Sequence, residues 1–157
     1  MGTVRVQAEN FDSAAEARRL VAGRTDLGAV VSFVGLCRDE AGRLAALEIE
    51  HYPGMAEAEI ARVMAEAEAR WPGIRAAAIH RYGRFAPGEP IVLVVTAAAH
   101  RGEAFAAAEM LMDYLKTRAP FWKRVRYADG SQGDWLEAKA HDDHSAARWD
   151  PAPTQSR

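Results

Sequence analysis

Segments with the two-residue period of β-strands alternate with segments of helical period, and this alternation constrains the fold of the chain most. Strands are predicted over 3–7, 28–34, 47–51, 74–82 and 91–96, and helices over 13–21, over 55–71 and up to Arg118. Asp129-Gly130 and Gly133 between 125–127 and 135–139 indicate a hairpin. Strand pairs mixed with helices predict an α+β fold, and the near-continuous apolar run at 28–34 predicts a buried strand.

The length and apolar content of the chain fit one domain. At 157 residues with 49% hydrophobic content, the chain suffices for one core but is too short for two comfortable domains. We expect that domain to cover residues 1–149. The last eight residues, 150–157, contain two prolines and no apolar period, which predicts a disordered tail.

A cluster of cations surrounds a proline near the end of the last predicted helix. Lys116, Arg118, Lys123 and Arg124 lie within nine positions, with Pro120 among them. Proline disfavours helical geometry at the residue before it, so the helix should end near Arg118 and Lys123 should return on the next segment. Two ammonium groups brought together beside aromatic rings favour a neutral amine. The segment therefore predicts an anion site with a lysine that can exchange protons.

Composition excludes several classes of protein. A formal net charge of −2 and a pI near 6.2 exclude a generally basic surface that coats nucleic acid, so an anionic ligand must be met locally. Cys37 is the only cysteine, which leaves no intrachain disulfide and no cysteine set for zinc or an iron–sulfur cluster. No apolar run of 18 residues and no signal core are present. We expect a cytoplasmic protein with no membrane partner.

Further cations follow two of the predicted strands. His100 and Arg101 lie between a strand and a helix, where free main-chain N–H groups attract phosphate. Arg38 follows the apolar run, where Gly35 allows a close turn. None of these positions is specific alone. A phosphate-bearing substrate would need them to converge with the lysines.

Other reactive side chains have simpler interpretations. Cys37 beside Arg38 could be a nucleophile, but a lone cysteine is usually a small buried apolar residue. His141 and His144 lie three apart, and a charged, exposed connection is favoured over a metal site because no further ligands follow at a fixed offset. His51 and His80 lie on strands and are interpreted as ordinary, partly buried histidines. We expect no metal and no cofactor.

Taken together, these segments resemble the MoaE family, the large subunit of molybdopterin synthase. The matching stretches follow the family order from about residue 28 to 149: GAVVSFVG at 28–35 with Arg38, EHYPGM at 50–55, AIHR at 78–81, AHR at 99–101 and MDYLKTRAPFWKR at 112–124. The last of these stretches is the most specific.

The resemblance implies a fold, a reaction and partners. The fold is a mixed or antiparallel sheet with packed helices, α/β hammerhead-like, with a C-terminal β-hairpin region. The reaction converts cyclic pyranopterin monophosphate to molybdopterin by adding two dithiolene sulfurs. A ubiquitin-like small subunit (MoaD-like) supplies each sulfur as the thiocarboxylate of its C-terminal glycine, and its tail enters a pocket of the large subunit. Two large and two small subunits form a heterotetramer.

The resemblance also implies roles for individual residues. Lys116 and Lys123 match the catalytic lysines of the family. The positions that match its substrate-binding residues are Leu36, Cys37, Arg38, His100, Arg101, Lys116, Lys123, Arg124 and Val125. Of these, His100 and Arg101 could serve the site of the neighbouring protomer. Val125 stands where relatives often carry a glutamate, so its contact can only be main-chain or apolar.

Two alternatives differ in their chemistry. A non-catalytic scaffold would bind the tail of a ubiquitin-like protein but would not need to bind a pterin. A single-stranded nucleic-acid binder would stack bases on Phe121 and Trp122, but it requires a basic groove that one cluster does not supply.

Overall fold

The structure is a computed structural model that describes residues 2–136 and 140–150. Its elements in chain order are β1 (Thr3–Gln7), α1 (Ser13–Val21), β2 (Ala29–Leu36), β3 (Leu44–His51), α2 (Met55–Arg70), β4 (Arg75–Arg81), β5 (Gly83–Phe85), β6 (Pro90–Ala98), α3 (Arg101–Thr117), β7 (Phe121–Tyr127) and α4 (Ala140–Ala147).

The larger sheet has the strand order β1-β4-β6-β2, with β1 and β4 parallel and the other neighbours antiparallel. Helix α1 packs Leu20 against one face of this sheet. Helices α2 and α3 cover the opposite face, where Ile60 and Leu111 pack with Val94 in the main core. The predicted α+β fold is confirmed, and its largest core lies between β4, β6 and the two long helices.

The smaller antiparallel sheet has the order β5-β3-β7. Ile49, Phe85 and Ile91 form a third apolar cluster, which joins this sheet to the edge of the larger one. After β7 the chain turns back, and the N–H of Leu136 donates to the carbonyl of Lys123 over 2.6 Å. The predicted hairpin is therefore present, but its first strand begins at Phe121 rather than at Val125.

The prediction that the apolar run at 28–34 is buried is wrong. Strand β2 lies at the edge of the larger sheet, and among the strands that the structure describes it pairs with β6 alone. Val30 is 45% exposed and Leu36 is 57% exposed. A β-branched apolar run indicates a strand. It does not distinguish a central strand from an edge strand that is exposed in a single copy of the chain.

Asp12 caps α1, since its Oδ1 accepts from the N–H of Ala15 over 2.9 Å. One prediction near the C-terminal end of the domain needs correction. The segment around His144 is helix α4 rather than a connection, because Arg148 and Trp149 both bond to Asp113 of α3 and hold it there.

The start of the predicted tail is fixed by α3. Asp150 accepts from the Tyr114 hydroxyl over 3.0 Å and pairs with Arg118 over 2.7 Å. Residues 151–157, the end of the predicted strand at 137–139 and the side chain of His141 lie outside the described residues.

Within residues 2–136 and 140–150, no helix combines the length and the apolar character needed to cross a membrane.

Candidate active site

A cavity of about 640 Å³ lies where the ends of β2 and α3 meet the beginning of β7. Its wall carries the polar and charged side chains of Arg38, Glu40, His80, Lys116 and Lys123. The apolar part of its wall includes Phe33, Leu36, Phe121, Val125 and Leu136. A cavity with apolar walls and a few converging cations suits an organic anion.

The turn at Pro120 brings the two lysines to this cavity. Helix α3 ends at Thr117, so Lys116 lies in its last turn with an exposed side chain. Beyond Pro120, β7 pairs with β3 and sets Lys123 opposite Ile49. Because side chains alternate along a strand, Phe121, Lys123 and Val125 share one face, and all three line the cavity. The prediction that the lysines approach from two segments agrees with this geometry.

The residues after β2 contribute one cation and one buried thiol. Arg38 is exposed and lines the cavity beside Leu36. Cys37 is only 3% exposed, and its Sγ lies 3.8 Å from the carbonyl oxygen of Phe85. Burial raises the pKa of the Cys37 thiol, and the charge of Glu89 acts in the same direction. The thiol is therefore protonated at neutral pH, which argues against a nucleophile.

Arg124 lies on the opposite face of β7 from Lys123. Its guanidinium pairs with the Glu48 carboxylate over 2.7 Å and lies 4.4 Å from the centre of the Trp135 ring. Arg126 also donates to Glu48, and hydrogen bonds from Arg124 and then Arg126 lower the pKa of that carboxyl. The side chain of Arg124 therefore supports the smaller sheet and is not part of the cavity wall.

His100 and Arg101 lie far from the lysines of the same chain. They stand at the N-terminal end of α3, whereas Lys116 stands in its last turn. At about 1.5 Å per residue, the separation along the helix axis is roughly 22 Å. One chain by itself therefore brings together Arg38, Lys116 and Lys123, but not the pair at 100 and 101.

His80 also belongs to this site, whereas the sequence predicted only an ordinary, partly buried histidine at this position. It is 6% exposed, lines the cavity, and stacks on Phe121 with ring centres 3.7 Å apart and 16° between the planes. Burial, together with the smaller effect of the positive charges of Lys123, His51 and Lys116, lowers the pKa of His80 to about 3, although the hydrogen bond to the carbonyl of Arg81 acts in the opposite direction. Strand alternation places position 80 on a face of β4, but only the tertiary structure brings Phe121 onto it.

Comparison with known proteins gives one consistent family. The profile of the MoaE protein family matches residues 6–118. A molybdopterin synthase catalytic subunit from Mesorhizobium japonicum is 63% identical over 147 residues, which cover 94% of this chain and 92% of the relative.

Solved structures agree with that match. The molybdopterin biosynthesis MoaE protein from Burkholderia ambifaria superposes with a TM-score of 0.83 at 49% identity, covering 95% of this chain and 98% of the other. A complex of subunits 1 and 2 of molybdopterin-converting factor from Helicobacter pylori contains a chain with a TM-score of 0.67 at 21% identity, covering 88% and 90%. At that identity the likeness concerns the fold alone.

Proposed function

Because the chain belongs to the MoaE protein family, and its function is that of a molybdopterin synthase catalytic subunit, we propose that the cavity beside Lys116 and Lys123 is where sulfur is transferred. The substrate is cyclic pyranopterin monophosphate, and the two dithiolene sulfurs come from a ubiquitin-like small subunit that ends in a thiocarboxylate. The observation that carries the assignment is that α3 and β7 each bring one lysine to the same cavity.

The charges of the cavity suit both reactants. A thiocarboxylate tail and a pterin phosphate are anions, and each would be drawn to Arg38, Lys116 and Lys123. Holding the two anions together in one cavity turns an encounter between them into a step within one complex. A lysine can also give or take a proton during sulfur transfer, which an arginine cannot.

The small subunit's tail has an apolar approach to these charges. Phe33, Leu36 and Leu136 line the cavity and are exposed in this chain. We assign this rim to the tail of the small subunit, with the thiocarboxylate directed inward to the lysines. Burial of these apolar side chains by the tail would stabilise the complex in addition to the attraction between charges.

We assign His100 and Arg101 to the cavity of a second copy of the chain. Ala29 at the start of β2 pairs with Ala98, two residues before His100, whereas Leu36 at its end borders the cavity. If two β2 edges pair antiparallel about a two-fold axis, the 100–101 end of one copy lies near the cavity end of the other. The exposed apolar side chains of β2 support this arrangement.

The site is tested by reconstitution with the purified chain, a thiocarboxylated small subunit and the cyclic pterin, with dithiolene formation as the readout. We expect Lys123→Ala and Lys123→Arg both to lose at least about a hundredfold in turnover, because arginine supplies charge but does not deprotonate. Lys116→Ala should lose turnover as well. Binding of the small subunit should persist in each variant, since other cations remain in the cavity.

Two control variants separate this site from general effects. Arg18→Ala removes an exposed cation of α1 that is not in the cavity wall and should keep wild-type turnover. Cys37→Ala should keep most turnover, because the sulfur comes from the small subunit. Near wild-type turnover of Lys123→Arg would reduce Lys123 to an electrostatic role, and loss of turnover in a folded Cys37→Ala variant would contradict an external sulfur donor.

The single cysteine is what supports a cytoplasmic location for this chain.

A further inference from the structure

The junction between α3 and β7 is held by a buried imidazole. His80 ends the buried part of β4, and its Nδ1 lies 2.8 Å from the carbonyl oxygen of Arg81. A carbonyl only accepts, so Nδ1 carries the proton and the ring is fixed in its own plane. One face of the ring stacks on Phe121, which follows Pro120 directly. The imidazole is therefore restrained both at its edge and on its face.

The carbonyl that holds the imidazole belongs to a well-anchored residue. The guanidinium of Arg81 donates to the carbonyl oxygens of Ala8 and Pro90 and lies 4.8 Å from the centre of the Phe85 ring. These contacts fix the end of β4 to β6 and to the segment after β1. The position of His80 is therefore set by the larger sheet, independently of β7.

Phe121 lies at the start of the strand that carries Lys123. The two residues are separated by one position in β7, so their side chains share a face. A slip of one residue at the start of β7 would turn Lys123 away from the cavity and Trp122 toward it. The ring contact with His80 restrains Phe121 at the point where such a slip would begin.

We propose that His80 is a positioning residue for sulfur transfer: by stacking on Phe121 it fixes the face of β7 that presents Lys123 to the cavity. The inference rests on the proposed role of Lys123 in that cavity. It assigns to His80 a role that depends on its ring and acts through Phe121, without contact with the reacting atoms.

A histidine suits this position because the imidazole remains uncharged there. The charged and titratable groups that influence the ring are Lys123 of β7, His51 of β3 and Lys116 of α3. A protonated ring would add a third positive charge beside the two lysines. As a neutral ring it keeps its contact with Phe121 while its N–H satisfies the carbonyl of Arg81.

The test compares variants that keep the ring with variants that keep the N–H. His80→Phe retains a ring for stacking, whereas His80→Asn retains a donor for the carbonyl of Arg81 but no ring. Phe121→Leu removes the other ring of the pair, and the double variant His80→Asn with Phe121→Leu completes a cycle. Turnover, KM for the pterin, affinity for the small subunit and thermal stability are measured for each, with Lys123→Ala as the reference.

We expect His80→Asn and Phe121→Leu each to lower kcat by about tenfold to a hundredfold with little change in KM, as a small misplacement of a reacting group does. His80→Phe should retain turnover within about threefold of wild type. Phe121→Leu also removes a more distant ring contact with His51. The double variant should be no slower than Phe121→Leu alone, because the ring contact that His80→Asn breaks is already absent there. Trp149→Ala, which breaks the remote ring contact with Trp71, should lower stability without lowering kcat.

Three results would overturn the proposal: turnover of His80→Phe as low as that of His80→Asn, additive losses in the double variant, or losses confined to stability. If His80→Phe does not fold, the proposal is judged from Phe121→Leu and from the double-mutant cycle of His80→Asn with Phe121→Leu. Full turnover of Lys123→Ala would instead contradict the proposed role of Lys123. This outcome is therefore distinct from the three results that contradict the positioning role of His80.

Discussion

At the scale of single residues, the candidate site combines solvent-accessible lysines with a buried, uncharged histidine. Lys116 is exposed and Lys123 is half-buried, so both can meet an anion that enters from solvent. His80 is almost fully buried and contacts Phe121 rather than solvent. Burial of the ring and, to a smaller extent, the positive charges of the two lysines make protonation of His80 unfavourable.

The low pKa of His80 predicts a loss of stability in acid. The folded value is about 3, whereas an unperturbed histidine titrates near 6.5. Between these values the unfolded chain binds one more proton than the folded chain, so the free energy of unfolding decreases as pH falls from about 6.5 toward 3. His80→Phe should reduce this dependence by up to about 1.4 kcal/mol per pH unit.

Urea unfolding of wild type and His80→Phe at several pH values between 4 and 7 measures this difference. His144→Gln, at an exposed histidine of α4, is the matched control and should follow wild type. Parallel curves for wild type and His80→Phe would mean that His80 is not the group responsible.

At the scale of elements, the two faces of β7 have different roles: one lines the cavity and the other carries ion pairs to β3. Phe121, Lys123 and Val125 line the cavity, whereas Arg124 and Arg126 pair with Glu48 of β3 on the other face. One strand thus carries both the proposed reacting lysine and the ion pairs that support its position in the sheet.

Glu48→Gln should therefore affect stability more than turnover. Its pairs with Arg124 and Arg126 are partly exposed, so we expect the free energy of unfolding to fall by about 1 kcal/mol. Turnover at a temperature where the variant is folded should remain within about twofold of wild type, because the pairs lie away from the cavity. Chemical unfolding and the reconstitution assay measure the two effects.

Glu59→Gln provides the comparison, since Glu59 pairs with Arg62 on the surface of α2. It should change the free energy of unfolding by less than about 0.5 kcal/mol. A large loss of turnover by Glu48→Gln at unchanged stability would return Arg124 to the substrate site that the family resemblance implies.

At the scale of the whole molecule, the cations of the proposed site lie at opposite ends of α3. Lys116 belongs to the cavity end and Arg101 to the other end, where Phe105 is 61% exposed one turn further on. If two copies pair antiparallel through their β2 edges, the Arg101 end of α3 in one copy lies near the cavity of the other copy. A complete site then requires a dimer, although the fold of each copy does not.

Mixing two inactive variants tests this arrangement. Lys123→Ala and Arg101→Ala should each be inactive alone, and co-refolded or subunit-exchanged mixtures should recover about a quarter of wild-type turnover. The expected fraction follows because about half of the dimers are mixed and each mixed dimer contains one site with both wild-type residues. A mixture of Lys123→Ala with Lys116→Ala is the control and should recover nothing, since both lysines belong to the same cavity.

No recovery in the first mixture would place Arg101 in the site of its own chain or outside the site. Recovery in the control mixture would mean that Lys116 and Lys123 of one copy do not serve the same site. Size-exclusion chromatography of each mixture confirms that dimers have formed, so an absent interface is distinguished from a wrong assignment.

Local sequence patterns predicted most helices and strands of this chain, and they identified the segment in which we propose the reacting lysines. The periods of Val4 and Val6, and of Ile60, Val63 and Ala67, identified strand and helix because these patterns are local. Pro120 fixed the end of α3 for the same reason, since its ring acts on adjacent residues.

Features that depend on contacts between distant segments became evident from the fold alone. It showed that β2 is an edge strand, that Arg124 pairs with Glu48 and lies away from the cavity, and that His80 meets Phe121. It also separated Arg101 from Lys116 by the length of α3. A one-dimensional pattern states which residues share a face, but the partner of that face is set by how sheets and helices pack.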